Sequence, residues 1–451
     1  MGVIANNLIS PDIFGFHQTH LAFMTSSQFR DHPQRFILNN EVHARPYQIL
    51  KSPLRVTHLA LMSDNRLQEI EAISELCDRF GLNHPNPESN YFVAEFPLFQ
   101  LRWERHTEFS SYTISEEKTS LVPFKESALT QLPSQWLSSL PGEVITMLNL
   151  EMVASPEGNR DLFKLSELFA SHTVVGSEVA DGAALVWTDF HIHADNFNRI
   201  LIENKGLRQR QAGRLVQRIL EIETYRMLAL LGLPLARQFS LDLTNSDTRL
   251  ETVTQRLSSL SKDDNEQQLL DELSQIAANV EHIAATTGYR FSATNAYYGL
   301  VKRRISELRE QRIDGVQTFN DFMERRLAPA VQTCESVSNR VQALSNRIAR
   351  VSNLLRTRIN INLEAQNRDL LRSMDRRAAM QLRLQEMVEG LSVVVLSYYG
   401  LGLLAYLLKG LKQFGLSINT DLFTGIAVPV VAVTVYLSLR LTRKRLDKHD
   451  Q

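Results

Sequence analysis

Residues 390–408 read GLSVVVLSYYGLGLLAYLL and residues 422–439 read LFTGIAVPVVAVTVYLSL. Neither stretch carries a charge. At about 1.5 Å per residue in a helix, each reaches about the ~30 Å of a bilayer's hydrocarbon core. A helix apolar on every side has no face to offer water, so a buried hairpin of a soluble protein is the poorer reading. Pro429 lies inside the second stretch, where a membrane helix tolerates it as a kink. The connection, KGLKQFGLSINTD, is too short for a domain, and the two spans are expected to form a transmembrane helical hairpin over 390–439. Arg372, Arg376, Arg377 and Arg383 precede it, and Arg440, Arg443, Lys444, Arg445 and Lys448 follow, against Lys409 and Lys412 in the loop. The positive-inside rule then puts the body and the basic tail (440–451) in the cytoplasm.

Working back along the chain, Val337, Val341, Leu344, Ile348, Val351 and Leu355 recur at alternating spacings of four and three, the seam of a coiled coil. The pattern then drifts through Ile359, Leu363, Leu370 and Met374, with Gln366, Arg377 and Gln381 entering the stripe. No Pro or Gly interrupts 330–389, which predicts one long stalk helix running into the first span. Its apolar seam requires partner helices from the same chain or from copies of it. In an oligomer, Asn360, Asn367, Gln381, Tyr399 and Gly400 are the candidate pore-lining residues, although a polar stripe is more often a solvated face.

The first 205 residues read as a mixed α/β body. Leu54 to Met62 has strand character and Arg66 to Phe80 the spacing of an amphipathic helix. Tyr91 to Thr113, Gly142 to Val153 and His172 to His193 supply further strands, the last turning at Asp181-Gly182. From 206 to 329 the pattern is helical: one helix ends at Gly232-Leu233-Pro234, a second spans roughly Ser246 to Thr286, and a third starts near Ala293. The predicted fold class is therefore an α+β cytoplasmic domain, a helical layer, a coiled-coil stalk and a C-terminal two-helix transmembrane hairpin.

The formal net charge of -1 conceals a division. Ten arginines face four acidic residues between Ser338 and Val388, and the residues after them are also basic, so the first 337 residues are acidic. A basic base suits phospholipid head groups, and an acidic body argues against nucleic-acid binding. Two distant cysteines, Cys77 and Cys334, suggest a reducing compartment without a disulfide framework. The N-terminus lacks the basic-then-apolar pattern of a secretory signal, and Asn6 stands where myristoylation favours Ser or Thr.

Three polar segments are candidates for chemistry. His191, His193 and Asp195 alternate in HIHAD, so on a strand they would share one face, and imidazole with carboxylate suits a divalent cation. Asn40, Glu41, His43, Arg45 and Pro46 belong to NNEVHARP, where acid, imidazole and guanidinium could form an acid/base or anion site. They could equally satisfy buried backbone groups, the commoner outcome. Trp103 to Glu108 (WERHTE) reads as a salt-bridge ladder across strands. The motifs G-x-x-x-x-G-K-[ST], H-E-x-x-H and G-x-S-x-G are absent from the sequence, so no catalytic activity is expected. Apart from a candidate divalent cation, no cofactor is implied.

NNEVHARP (39–46), WERHTEF (103–109), RQAGRLVQRILEIETYRMLALLGLP and the long run 352–400 together resemble a bacterial family of predicted membrane-anchored proteins of unknown function. The resemblance implies the bacterial inner membrane and no particular activity. A looser architectural likeness joins the chain to CorA-type magnesium channels, pentamers whose stalks and first spans line the pore. Their Gly-Met-Asn signature is replaced here by Tyr399-Gly400-Leu401-Gly402. Two functions follow as expectations: a CorA-like oligomeric cation channel or a non-conducting relative of one, and a membrane-anchored scaffold that docks a cytoplasmic partner. Either expectation includes the lipid bilayer and further copies of the chain as partners.

Overall fold

The computed structural model describes residues 31–36, 38–39, 47–120, 122–156, 162–259, 266–413 and 420–446. Asn40, Glu41, His43, Arg45 and Pro46 therefore lie outside the described residues, as does the tail beyond 446. The chain divides into two compact units, one of residues 1–244 and 282–341, the other of residues 245–281 and 342–451.

The first unit is built on a sheet whose strands, among the described residues, are β1 (Leu54–Met62), β2 (Tyr91–Glu95), β3 (Gln100–Arg105), β4 (Phe109–Glu116), β5 (Glu143–Ala154), β6 (Val175–Val179), β7 (Ala184–Thr188), β8 (Asn198–Asn204) and β9 (Gln311–Arg312). Their order is β2-β3-β4-β1-β5-β8-β7-β6-β9; β5 and β8 pair in parallel and every other pair is antiparallel. β1 lies inside the sheet, which is why LRVTHLALM shows no polar side: almost every residue in it is buried. Leu54, Val56 and Ala60 face a core shared with helix α4 (Gln209–Leu230). Leu59 and Leu61 face the opposite core, with helices α1 (Arg66–Phe80) and α2 (Ser134–Ser139). Asn65 caps α1 through Gln68 N–H, and Gly81 ends it in the left-handed conformation that glycine adopts without steric cost.

The expected stop after Leu231 is a one-residue break. Helix α5 (Gly232–Ser259) restarts at once, with Pro234 in its first turn, where a missing N–H costs nothing. A single helix over 246–286 is not found: α5 ends at Ser259 and α6 runs from Glu266 to Leu308. After the short α3 (Leu162–Leu168) and α7 (Phe319–Arg326), helix α8 runs unbroken from Ala328 to Gln413. Pro329 lies in its first turn, where a helix tolerates proline.

In the second unit the stalk seam finds its partners within the chain. Leu344, Ile348, Val351 and Leu355 are buried, as are Leu250, Val253 and Leu257 of α5 and Leu269, Leu273 and Ile276 of α6. Arg347 pairs with Asp247, Arg358 Nη1 donates to the Leu257 carbonyl (3.1 Å), and Arg256 pairs with Glu272 (2.9 Å). From Ile361 to Met380 its large apolar side chains lie open: Ile361, Leu363, Leu370, Leu371, Met374 and Met380 are all more than half exposed.

Among the described residues one helix, α8, is long and apolar enough to cross a membrane, and the large apolar side chains of its most apolar stretch are exposed. The second expected span falls within α9 (Thr420–Leu446), whose apolar run Thr424–Ser438 is shorter than a full crossing, so among the described residues one full-length span is found where the sequence predicts two. The two helices touch: a Cβ on Gly400 would stand 3.3 Å from Val431 Cγ1, and Ser397, one turn earlier, is buried.

Candidate functional site

A cavity of about 360 Å³ opens in the first unit between the sheet and α4. β1 contributes His58, β3 Arg102 and Glu104, β4 Ser111 and Thr113, α4 Gln217, Glu221, Thr224 and Tyr225, and α6 Arg304. Tyr47 and Gln48 close one side, held by Leu50 N–H donating to the Gln209 carbonyl (3.3 Å). That crossing requires Gly213: a Cβ there would stand 1.8 Å from the Gln48 carbonyl oxygen. Gly213→Ala is expected to cost about 1–3 kcal/mol, as overpacking does, and to loosen the Tyr47–Leu50 segment from α4. Limited proteolysis around Tyr47 together with a thermal melt reads both effects, and an unchanged pattern and midpoint would refute the close approach.

His58 is buried with both ring nitrogens occupied. Thr224 Oγ1 donates to the Leu220 carbonyl (2.9 Å), so it accepts the Nε2–H of His58 at 3.1 Å. Nδ1 then accepts from Thr113 Oγ1 at 2.8 Å, which assigns the Nε2–H tautomer. Burial, reinforced by the positive charge of Arg102 and by His106, pulls its pKa down to about 3. A neutral, doubly bonded imidazole of this kind orients neighbours and does not shuttle protons at neutral pH. Arg102, also buried, donates from Nη1 to Gln217 (3.2 Å) and from Nη2 to Glu104 (2.8 Å). Across the cavity Arg304 pairs with Glu221 and Glu307. The lining offers fixed charges of both signs and several hydroxyls, the equipment for holding a small polar molecule.

The expected ladder at Trp103–Glu108 converges instead on one buried carboxylate from α1. Glu69 accepts from Trp103 Nε1 (3.2 Å), Arg105 Nη1 (2.6 Å) and Ser110 Oγ (2.5 Å). Glu108 binds Arg290 and Tyr297. Burial alone would raise its pKa, but hydrogen bonds from Tyr297, Tyr289 and Arg290 hold it below the usual carboxylate value.

HIHAD lies in the loop after β7 and is not a strand. His191 and His193 come together, and Asp195 does not join them. Its Oδ1 accepts the Phe197 N–H (3.1 Å) and its Oδ2 pairs with Arg199 (3.0 Å). The carboxylate beside the two imidazoles is Asp189, and a third imidazole, His172, arrives from before β6. The antiparallel register, Val175 opposite Thr188, brings those two ends together.

Asn360, Asn367 and Gln381 are exposed along α8 and Tyr399 is 66% exposed, whereas Gly400 faces Val431 of the same chain. Both cysteines are buried and free.

A family model described as "Protein of unknown function (DUF3422)" matches residues 30–446. The chain belongs to the DUF3422 family. No curated protein matches it. The match to DUF3422 takes in the sheet, the helices and α8 alike. Two of the stretches that carry the resemblance drawn from sequence, 103–109 and 210–234, supply most of one wall of the cavity each: Glu104, His106 and Phe109 from the first, Gly213 to Tyr225 from the second.

Proposed function

We propose that this protein is held in the bacterial inner membrane by α8 and α9, with its body and C-terminus in the cytoplasm. In this reading the helical pair is an anchor and the body binds a small polar ligand without catalysis. The observation that carries the anchor is the bareness of α8 beyond Gly390: Leu391 (65%), Tyr398 (75%), Leu403 (68%) and Tyr406 (77%) have no protein over them. Leaving such side chains in water costs about 25 cal/mol per Å² of apolar surface, and a bilayer removes that cost. An anchor is favoured over a pore because the apolar stretches of both helices carry no charge and because Gly400 packs on α9. Ligand binding rests on the mixed-charge lining of the cavity, and the absence of catalysis on an imidazole whose two nitrogens are both committed.

The lower stalk supports self-association. Its exposed Leu363, Leu370 and Met374 continue the helix whose upper seam is already covered, and a shared anchor would concentrate copies in the membrane plane. Asn360, Asn367 and Gln381 lie on one face of that bare helix, which favours a CorA-like channel as the second reading.

Extraction of membranes with alkaline carbonate tests the anchor. The full-length chain is expected to stay in the pellet, and release into the supernatant would exclude it. Light scattering of the detergent-solubilised chain then separates the two readings. A monomer or dimer fits the anchor, whereas a pentamer with cysteine cross-links at Asn360 and Gln381 would replace it with the channel.

A further inference from the structure

We infer that His172, Asp189, His191 and His193 form a binding site for a divalent transition metal of the zinc type. Asp189 is fully buried, and three imidazoles converge on its Oδ2: His172 Nδ1 at 2.7 Å, His193 Nε2 at 3.1 Å and His191 Nδ1 at 3.7 Å. The ligand atoms of His172, Asp189 and His191 all lie within 4.8 Å of one another. The His172 ring centroid lies 4.3 Å from that of His191 and 5.5 Å from that of His193.

Hydrogen bonding within the cluster does not account for this arrangement. A single carboxylate oxygen has no need of three imidazole neighbours. His193 is the decisive member. Its side chain is only 3% exposed, yet its Nε2, 3.1 Å from Asp189 Oδ2, makes no hydrogen bond. A buried ring nitrogen without a partner is costly, and a metal ion uses its lone pair directly.

The spacing suits such an ion. With metal–nitrogen and metal–oxygen bonds of about 2.0–2.2 Å, ligand atoms of a tetrahedral site stand roughly 3.3 Å apart. The three separations from Asp189 Oδ2 bracket that value. Three imidazoles and one carboxylate favour zinc, cobalt or a similar borderline ion over magnesium or calcium, which take oxygen ligands. His193, Asp189 and His172 form the inner part of the site. His191, 59% exposed, closes it towards solvent and exchanges its contact with the Asp189 carbonyl (2.7 Å) for the metal.

The surroundings hold both arms in place. Arg199 donates from Nη1 to the Leu168 carbonyl (2.8 Å), tying the end of α3 to β8. His193 N–H donates to the Phe197 carbonyl (3.0 Å), closing the loop after β7. Phe190, between Asp189 and His191, stacks on Phe322 with centroids 4.4 Å apart. Ala170, Ser171, Phe190 and Asn196 take positive φ values of 53°, 62°, 56° and 67°, and their turns present His172, Asp189 and His193 to a common point.

The test is a titration of the full-length, detergent-solubilised, EDTA-stripped chain with Co²⁺, followed by competition with Zn²⁺. One Co²⁺ per chain with a visible ligand-field spectrum, displaced by Zn²⁺, is the expected result. His172→Ala, His193→Ala and Asp189→Asn should each weaken binding by about tenfold or more, the loss that follows even from changes just outside a metal's ligands. His191→Ala removes an exposed ligand without opening the core, so it reports on the site even if the buried variants misfold. His84→Ala, a histidine paired with Asp78 away from this cluster, should leave the affinity unchanged. Absence of the spectrum, or equal affinity in wild type, His191→Ala and His193→Ala, would overturn the site.

Discussion

Arg55→Met is expected to destabilise the first unit by about 3–5 kcal/mol, the range for removing one partner of a buried charge network. Arg55 is 1% exposed in the middle of the sheet. It reaches Glu116 (3.1 Å), Glu126 (3.1 Å) and Ser120 (2.8 Å), and its Nε stands 3.9 Å from Glu151. Glu116 and Glu151 are themselves buried, and burial already raises both carboxyl pKa values against the pull of Arg55. Without the guanidinium both acids would rise further and take up protons on folding. A raised folded-state pKa gives stability that is present below the ordinary value of 4.5 and lost as pH rises. The variant should therefore fare worst at neutral pH and recover towards pH 4–5, and adding Glu151→Gln should restore part of the loss. Urea unfolding followed by tryptophan fluorescence measures this, because Trp103, Trp136 and Trp187 are all buried in this unit. A loss under about 1 kcal/mol would show that the network does not hold the sheet together.

His58→Gln should flatten the acid limb of the stability profile. The folded pKa of about 3 lies below the reference value of 6.5, so between them the unfolded chain binds the extra proton. The stability this group contributes is complete above pH 6.5 and falls with acidification by roughly 1.4 kcal/mol per pH unit. Between pH 6.5 and 5 wild type should lose about 2 kcal/mol that the glutamine variant retains. Glutamine can still bond Thr113 and Thr224, so its cost at pH 7 should stay near the 1 kcal/mol of one imperfect hydrogen bond. Identical pH slopes in the two proteins would mean that His58 is not locked in its neutral form.

Both residues illustrate what could not be read from one dimension. Arg55 and His58 fall in a run recognisable as a strand, but strand periodicity says nothing of the acids on β4 and β5 or of Thr224 on α4. The cavity has the same character: its wall is assembled from β1, β3, β4, α4 and α6, and only the glycine inside the helical pattern at 213 hints that another backbone passes close. HIHAD shows the two histidines, and alternation favours Asp195 as their carboxylate, whereas the loop geometry turns that side chain to Arg199 and admits Asp189 and His172. The signal that could have found them is the β6–β7 hairpin itself, since a turn at Asp181-Gly182 necessarily brings residue 172 near residue 189.

Local physics alone determined the features that depend on period and length: the strand Leu54–Met62, the helix Arg66–Phe80, the unbroken helix through 330–389, and an apolar stretch able to cross a bilayer. These follow from side-chain spacing and from backbone hydrogen bonds made within or beside the same segment. Tertiary structure decided where the seam of α8 is covered, which carboxylate meets the histidines, and which polar groups line the cavity. Those outcomes depend on contacts made by tertiary folding, over 17 positions between His172 and Asp189 and 100 between Arg347 and Asp247, and such contacts leave no periodic trace in the chain.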